Sequence, residues 1–268
     1  MASPELSVMG LLMKKILVIF GSHNKKGAGS KTVEIFKSKL ASTEYSFETV
    51  FLSDYEINSC RGCTVCFKKK ECIIKDDVTS IVEKMKSSDG IIFVTPIYAM
   101  NISGLLKTFI DRISYMLHKP ALYEKHSYII ITTDVGGFKP ISAYMRYLMN
   151  AFGIYNTGYT GVIAKFIKKD ENYQNQISDA MTVEVEKFKN LLNRGENYKP
   201  KFTQILRFNL WKTSAIMKKN IYPGDYKYWE ENGWLDKDYY YPIKINIIQK
   251  ILLKIIQKKI RKKIEKTV

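Results

Sequence analysis

No stretch of the 268 residues approaches the roughly 18 consecutive apolar side chains of a membrane-spanning helix, because the most apolar run, 91–100, is short and interrupted by Thr95 and Pro96. No secretory leader with a small-residue cleavage site is visible either, so the expected location is cytoplasmic. Histidine is scarce. His23, His118 and His126 are scattered, and neither a Ser-His-Asp arrangement nor a catalytic carboxylate pair can be assembled from the sequence. The four cysteines all fall between Cys60 and Cys72, which excludes a disulfide framework joining distant parts of a fold and leaves a metal site or redox chemistry to explain them. Only six of the 43 basic residues are arginine.

What is present is core material: 46% of residues are hydrophobic and 13% aromatic, which excludes disordered and fibrous classes and suits one core with an appendage. The net charge of +17 is carried almost entirely by lysine in a chain rich in Ile, Asn and Tyr, and charge alone does not indicate a nucleic-acid partner; none is expected. Residues 1–12 lack helical or strand periodicity and read as an extension or an expression remnant ahead of Met13. From Met13, short apolar runs alternate with longer helical patterns, the mark of βα units around a parallel sheet covered on both faces. Strands are expected at 15–21, 46–52, 89–95, 127–133 and 157–164, and helices at 30–41, 77–87, 103–117, 140–152 and 172–193, the second capped by Asp76 and Asp77. The fold class is therefore α/β, a doubly wound five-stranded parallel sheet of order 2-1-3-4-5 over 13–198, with ligands beyond the carboxyl ends of its strands.

Three loops meet at that edge. The first, from Gly21 to Thr32, runs from a buried strand into a helix, and Ser22, Asn24, Ser30 and Thr32 could donate to an anion there; it is neither a Walker A motif nor a GxGxxG turn, and a flexible Gly/Ser turn with an ordinary cap explains it equally well. The second, Thr95 to Gly104, has Pro96 to stiffen it and the flat face of Tyr98, which serves a planar heterocycle or simply packs in the loop. The third carries Gly136 and Gly137, which let backbone approach a ligand closely or make a plain turn. Lys107, Asp111 and Arg112 read as an i,i+4 surface pair with an added positive charge.

Three blocks, MKKILVIFGS with its hydroxyl-rich loop, CRGCTVCFKKKECIIKDDV and SSDGIIFVTPIYAMNISGLLKTFIDR, together resemble the NADPH-dependent FMN reductase and iron-sulfur flavoprotein branch of the flavodoxin-like superfamily, over roughly 13–195. The resemblance implies an oxidoreductase in which FMN is the cofactor and NAD(P)H the co-substrate, with electrons passing to a quinone, nitro compound, free flavin or ferredoxin-like protein. It implies that Ser22, Asn24, Ser30 and Thr32 hold the FMN phosphate. Pro96, Ile97, Tyr98, Ala99, Met100 and Asn101 would line the isoalloxazine ring, and Gly136 and Gly137 would close the site. A homodimer or higher homo-oligomer is likewise an implication of the family.

Cys60-x2-Cys63-x2-Cys66-x5-Cys72 is close enough in sequence to wrap the corners of a [4Fe-4S] cluster and matches the compact spacing of iron-sulfur flavoproteins. Free thiols packed near the flavin and a zinc site remain open beside it. An electron carrier pairing FMN with that cluster is thus a rival function, and a zinc-stabilised, non-enzymatic module holding an acidic polymer or membrane is another. Beyond residue 198 an aromatic segment leads to 243–268, read as a helix with Ile248, Leu252, Ile256, Ile260 and Ile264 at spacing four and a net charge of +8. Docking on its own protein is the favoured reading for this extension, and contact with an anionic membrane surface is the alternative.

Overall fold

The computed structural model describes residues 13–40, 44–69, 71–193 and 199–266, so the reading of 1–12 as an extension lies outside the described residues. Strand β1 (Lys14–Phe20) leads into α1 (Ala28–Lys39), then β2 (Tyr45–Phe51), a one-turn α2 (Val65–Lys68) and α3 (Val78–Ser87). There follow β3 (Gly90–Tyr98), a two-residue β4 (Asn101–Ile102), α4 (Gly104–Arg112), β5 (His126–Thr133), α5 (Phe138–Ala151), β6 (Tyr155–Ile163), α6 (Ala164–Lys169) and α7 (Glu171–Asn193). The five long strands are all parallel in the order β2-β1-β3-β5-β6, with β4 folded back antiparallel on the end of β3.

The central strands are continuous apolar runs because both faces are buried. Leu17, Ile19, Ile91, Phe93, Ile129 and Ile131 point to the layer of α3, α4 and α5, while their neighbours Ile16, Val18, Ile92, Val94, Tyr128 and Ile130 point to α1 and α7. Close approach sets the loop positions: a Cβ on Gly29 would lie 2.7 Å from Val94 Cγ1, so only glycine lets the first turn of α1 settle on β3.

Two expectations need correction. The helix foreseen over 103–117 ends at Arg112, and Ser114–Leu117 tightens into a 3-10 turn. Asp77 occupies the N-cap position of α3 without capping it; Asp76 Oδ1 instead accepts from Val78 N at 3.2 Å, while Asp77 Oδ2 accepts from Glu56 N at 2.7 Å.

The extension folds onto the α4 side as α8 (Phe202–Met217), α9 (Pro223–Glu231) and α10 (Ile247–Glu265). Phe208, Trp229, Trp234 and Tyr239 form its core, and Trp229, fully buried, donates from Nε1 to His118 O at 2.8 Å. Tyr228 Oη donates to Pro120 O at 3.1 Å. Among the described residues no helix is long and apolar enough to cross a membrane.

Candidate functional site

Because all five long strands run the same way, their carboxyl ends deliver the loops after β1, β3 and β5 to one edge. A cleft of about 360 Å³ lies there, within the usual range of ligand sites. The β1–α1 loop brings Ser22, Asn24, Gly27, Ala28 and Gly29 into its wall. Asn24 holds the loop shape: its Oδ1 accepts from Lys26 N at 3.1 Å, its O accepts from Gly27 N at 3.2 Å, and its own N donates to Ser22 Oγ at 3.2 Å. Helix α1 then starts at an N-cap glycine that makes no side-chain capping bond, with no acidic residue in the first turn. The positive end of the helix dipole is thus presented to the cleft without an internal anion, which is the physical requirement for binding a phosphate.

Further lining comes from Pro96, Ile97 and Tyr98, a residue 61% exposed, and from Thr132, Thr133 and Asp134. Two cations that sequence reasoning missed complete the lining: Lys165 and Lys168, exposed on α6, which packs beside the start of α1. Their signal was present in the run Ala164-Lys165-Phe166-Ile167-Lys168-Lys169 immediately after the last strand, where the i,i+3 spacing puts 165 and 168 on one side of a short helix.

The remaining expected residues sit elsewhere. Thr32 is fully buried inside α1, where its Oγ1 donates to Ala28 O at 2.8 Å within the helix, and Ser30 Oγ donates to Lys25 O at 2.7 Å and braces the loop, so neither hydroxyl belongs to the cleft wall. Ala99 and Met100 form the exposed tip of the β3–β4 hairpin with φ of 47° and 63°, and Asn101 Oδ1 accepts from Ile102 N at 2.8 Å. Gly136 and Gly137 adopt φ of 148° and 88° at the start of α5, and neither lines the cleft.

Two buried cations hold the described parts of the cysteine segment, 58–69 and 71–74. Arg112, expected on the surface, is turned inward from α4 and its side chain is 1% exposed. Its Nη2 donates to Asp76 Oδ1 at 3.0 Å and to Ile74 O at 3.3 Å and lies 3.8 Å from Cys72 Sγ, while Nη1 donates to Asn58 O at 2.8 Å and pairs with Asp76 Oδ2. Burial alone would raise the Asp76 pKa, but this guanidinium and the amides of Asn58 and Val78 outweigh it and hold the carboxyl below its ordinary value.

Lys119, 2% exposed, donates from Nζ to Cys66 O and to Lys69 O at 2.6 Å, with Asp225 Oδ1 of α9 as its counter-ion at 3.4 Å. His118 stacks on Phe67 with ring centroids 4.4 Å apart and reaches Asp225 Oδ2 at 2.9 Å. Cys60 and Cys63 are exposed, Cys66 and Cys72 half-buried, and all four are free thiols. Burial, then the neighbouring Cys72, pushes the Cys66 thiol above its ordinary value against a smaller opposing effect of Lys119. Among the described residues no three Cys, His, Asp or Glu side chains are gathered closely enough to hold one metal ion.

Residues 14–160 match the sequence profile of the NADPH-dependent FMN reductases. The chain belongs to this family. An iron-sulfur flavoprotein of Archaeoglobus fulgidus is 29% identical over 239 residues, covering 82% of this chain and 100% of the relative. One of Clostridioides difficile is 30% identical over 231 residues, covering 81% and 98%. An apo NADH:FMN oxidoreductase shares the fold with a TM-score of 0.50 at 17% identity, over 69% of this chain and 92% of its own. As an FMN reductase family member the protein is an NAD(P)H-dependent oxidoreductase, and the flavodoxin-like sheet order is the one expected for it. The cleft suits FMN on its own terms: an uncapped helix start and two lysines for the phosphate, and an apolar strand end with Pro96 and Ile97 for a ring. The four thiols as arranged here do not fit a cubane cluster, since two are out in solvent and no three converge.

Proposed function

We propose that the protein transfers electrons from NAD(P)H to a small-molecule or ferredoxin-like acceptor, such as a quinone, a nitro compound or free flavin, with FMN held in the carboxyl-edge cleft. The observation that carries this reading is the uncapped N-terminus of α1 lining one cleft together with Lys165 and Lys168. The bound flavin supplies the redox chemistry, which is why the site needs no acid–base pair of its own. The chain's part is positional. The amides of 27–29 and the two lysines bind the phosphate, the 96–98 backbone lies along the ring, and the exposed Tyr98 offers a flat surface at the mouth for a planar substrate.

Titration of the apoprotein with FMN and with riboflavin tests this. Lys165→Glu with Lys168→Glu is expected to weaken FMN binding by about tenfold or more while riboflavin, which has no phosphate, binds as before. Failure of the apoprotein to bind FMN at micromolar concentration, or equal weakening of both ligands, overturns the assignment.

A second reading, an electron carrier with a [4Fe-4S] cluster on Cys60, Cys63, Cys66 and Cys72, is supported by the cysteine spacing and by the names of both relatives described above. It requires the exposed 60–63 stretch to close on Cys66 and Cys72. Anaerobic purification with iron analysis decides it: about four irons per chain favour this reading, and iron near zero after reconstitution removes it.

A further inference from the structure

Helix α10 has two unlike faces. The inner one, Leu253, Ile256, Gln257, Ile260 and Ile264, is buried or half-buried, and Gln257 Nε2 ties it to α8 by donating to Asn209 Oδ1 at 3.0 Å. The outer one carries Ile247, Ile248, Ile251, Leu252 and Ile255, which are 75%, 67%, 53%, 42% and 48% exposed. Five branched aliphatic side chains grouped over two turns make a contiguous apolar stripe, and a stripe of that kind on a protein surface marks an interaction site. Past Ile255 the same direction continues at i+3, i+4 and i+7 as Lys258, Lys259 and Lys262, all exposed, while Lys250 and Lys254 flank the stripe. One acidic residue, Glu265, stands against eight Lys and one Arg over 243–268.

Charge selects the occupant. A second copy of the chain laid face to face would oppose two +8 segments, and like charges at close range are repulsive. A ridge of aliphatic side chains continuing into lysines, on a molecule of net charge +17, is complementary to a soft, anionic, planar surface with an apolar interior. We propose that α10 is an interfacial anchor that lies along an anionic lipid surface, its outer isoleucines and leucine at the acyl boundary and its lysines among the headgroups. The helix lies on the bilayer and does not cross it, since it is too short in unbroken apolar sequence to span.

The test uses the full-length, FMN-reconstituted protein and sedimentation with vesicles of phosphatidylcholine, alone or mixed with phosphatidylglycerol. Binding is expected only to the phosphatidylglycerol vesicles and should fall steeply as salt rises. Two triple variants separate the contributions: Ile248→Ser, Ile251→Ser, Leu252→Ser for the stripe, and Lys258→Glu, Lys259→Glu, Lys262→Glu for the charge. Each should weaken vesicle binding by about tenfold or more with an unchanged melting temperature, because the altered side chains are exposed in the fold. Absence of sedimentation with phosphatidylglycerol vesicles at low salt overturns the proposal. So do wild-type binding by both variants, and a wild-type dimer that the serine variant converts to monomers without loss of vesicle binding.

Discussion

Arg112 places a guanidinium where solvent is almost absent and shares it among a carboxylate, two backbone carbonyls and a thiol. Removing one partner of such a pair leaves the other charge buried and uncompensated, which costs more than the pair itself contributes. Arg112→Met is therefore expected to lower unfolding free energy by about 3–5 kcal/mol in urea titrations, and adding Asp76→Asn should restore a substantial part of the loss. Non-additivity of the two changes is the decisive readout; purely additive losses would contradict the pairing. This residue also shows where reading by sequence stops. Lys107 and Asp111 do form the expected i,i+4 pair, at 2.6 Å and exposed, because both partners lie on one helix. The partner of Arg112 is 36 positions earlier, in the loop before α3, and no local spacing announces it.

At the scale of elements, the parallel strands were legible because burial on both faces leaves runs such as IIFV with no polar interruption, and the edge where the loops meet follows from strand order alone. The two-residue β4 was not legible, since so short a strand has no periodicity to read. The C-terminal helix was foreseen over 243–268 and runs over Ile247–Glu265, and its contact face was not foreseen: a spacing of four drifts about 40° per step around a 3.6-residue helix, so Ile248 and Leu252 have rotated into solvent by the time Ile256, Ile260 and Ile264 turn inward. Of the cleft, Ser22, Asn24 and 96–98 were foreseen, whereas Thr32 was drawn away by its own helix carbonyl and the α6 lysines come from a turn of helix too short to stand out. The segment 65–69 yields an element-scale prediction. Lys119→Met removes the donor to Cys66 O and Lys69 O, so alkylation of Cys66 followed by mass spectrometry should quicken by about tenfold as local opening becomes easier. Cys60, already exposed, serves as the internal control and should not change.

For the whole molecule, the described residues pack into four apolar clusters, one on each face of the sheet, one inside the extension and a small one, Ala28, Val162 and Ile167, beside the cleft edge. Stability should also depend on pH through His126 at the start of β5, where burial, and then the charge of Lys125, holds the imidazole down to about 4. A depressed histidine leaves the folded state without a proton that the unfolded chain accepts at its ordinary value near 6.5, so stability is full above that pH and declines toward 4. Between pH 7.5 and 5 this amounts to about 2 kcal/mol, and urea titrations should show that part of the loss vanish in His126→Gln. A wild-type-sized pH dependence in the variant would assign the effect to other groups. The link from Lys119 to Asp225 has a consequence in time as well as in space. Cys66 and Asp225 are separated by about 160 residues, so at ordinary rates of synthesis the 65–69 turn waits roughly 10–30 s for the helix that braces it. On the ribosome Cys66 is therefore open to whatever loads, oxidises or protects it, and the arrival of α9 ends that interval for Cys66, while Cys60 and Cys63 stay exposed in the finished fold.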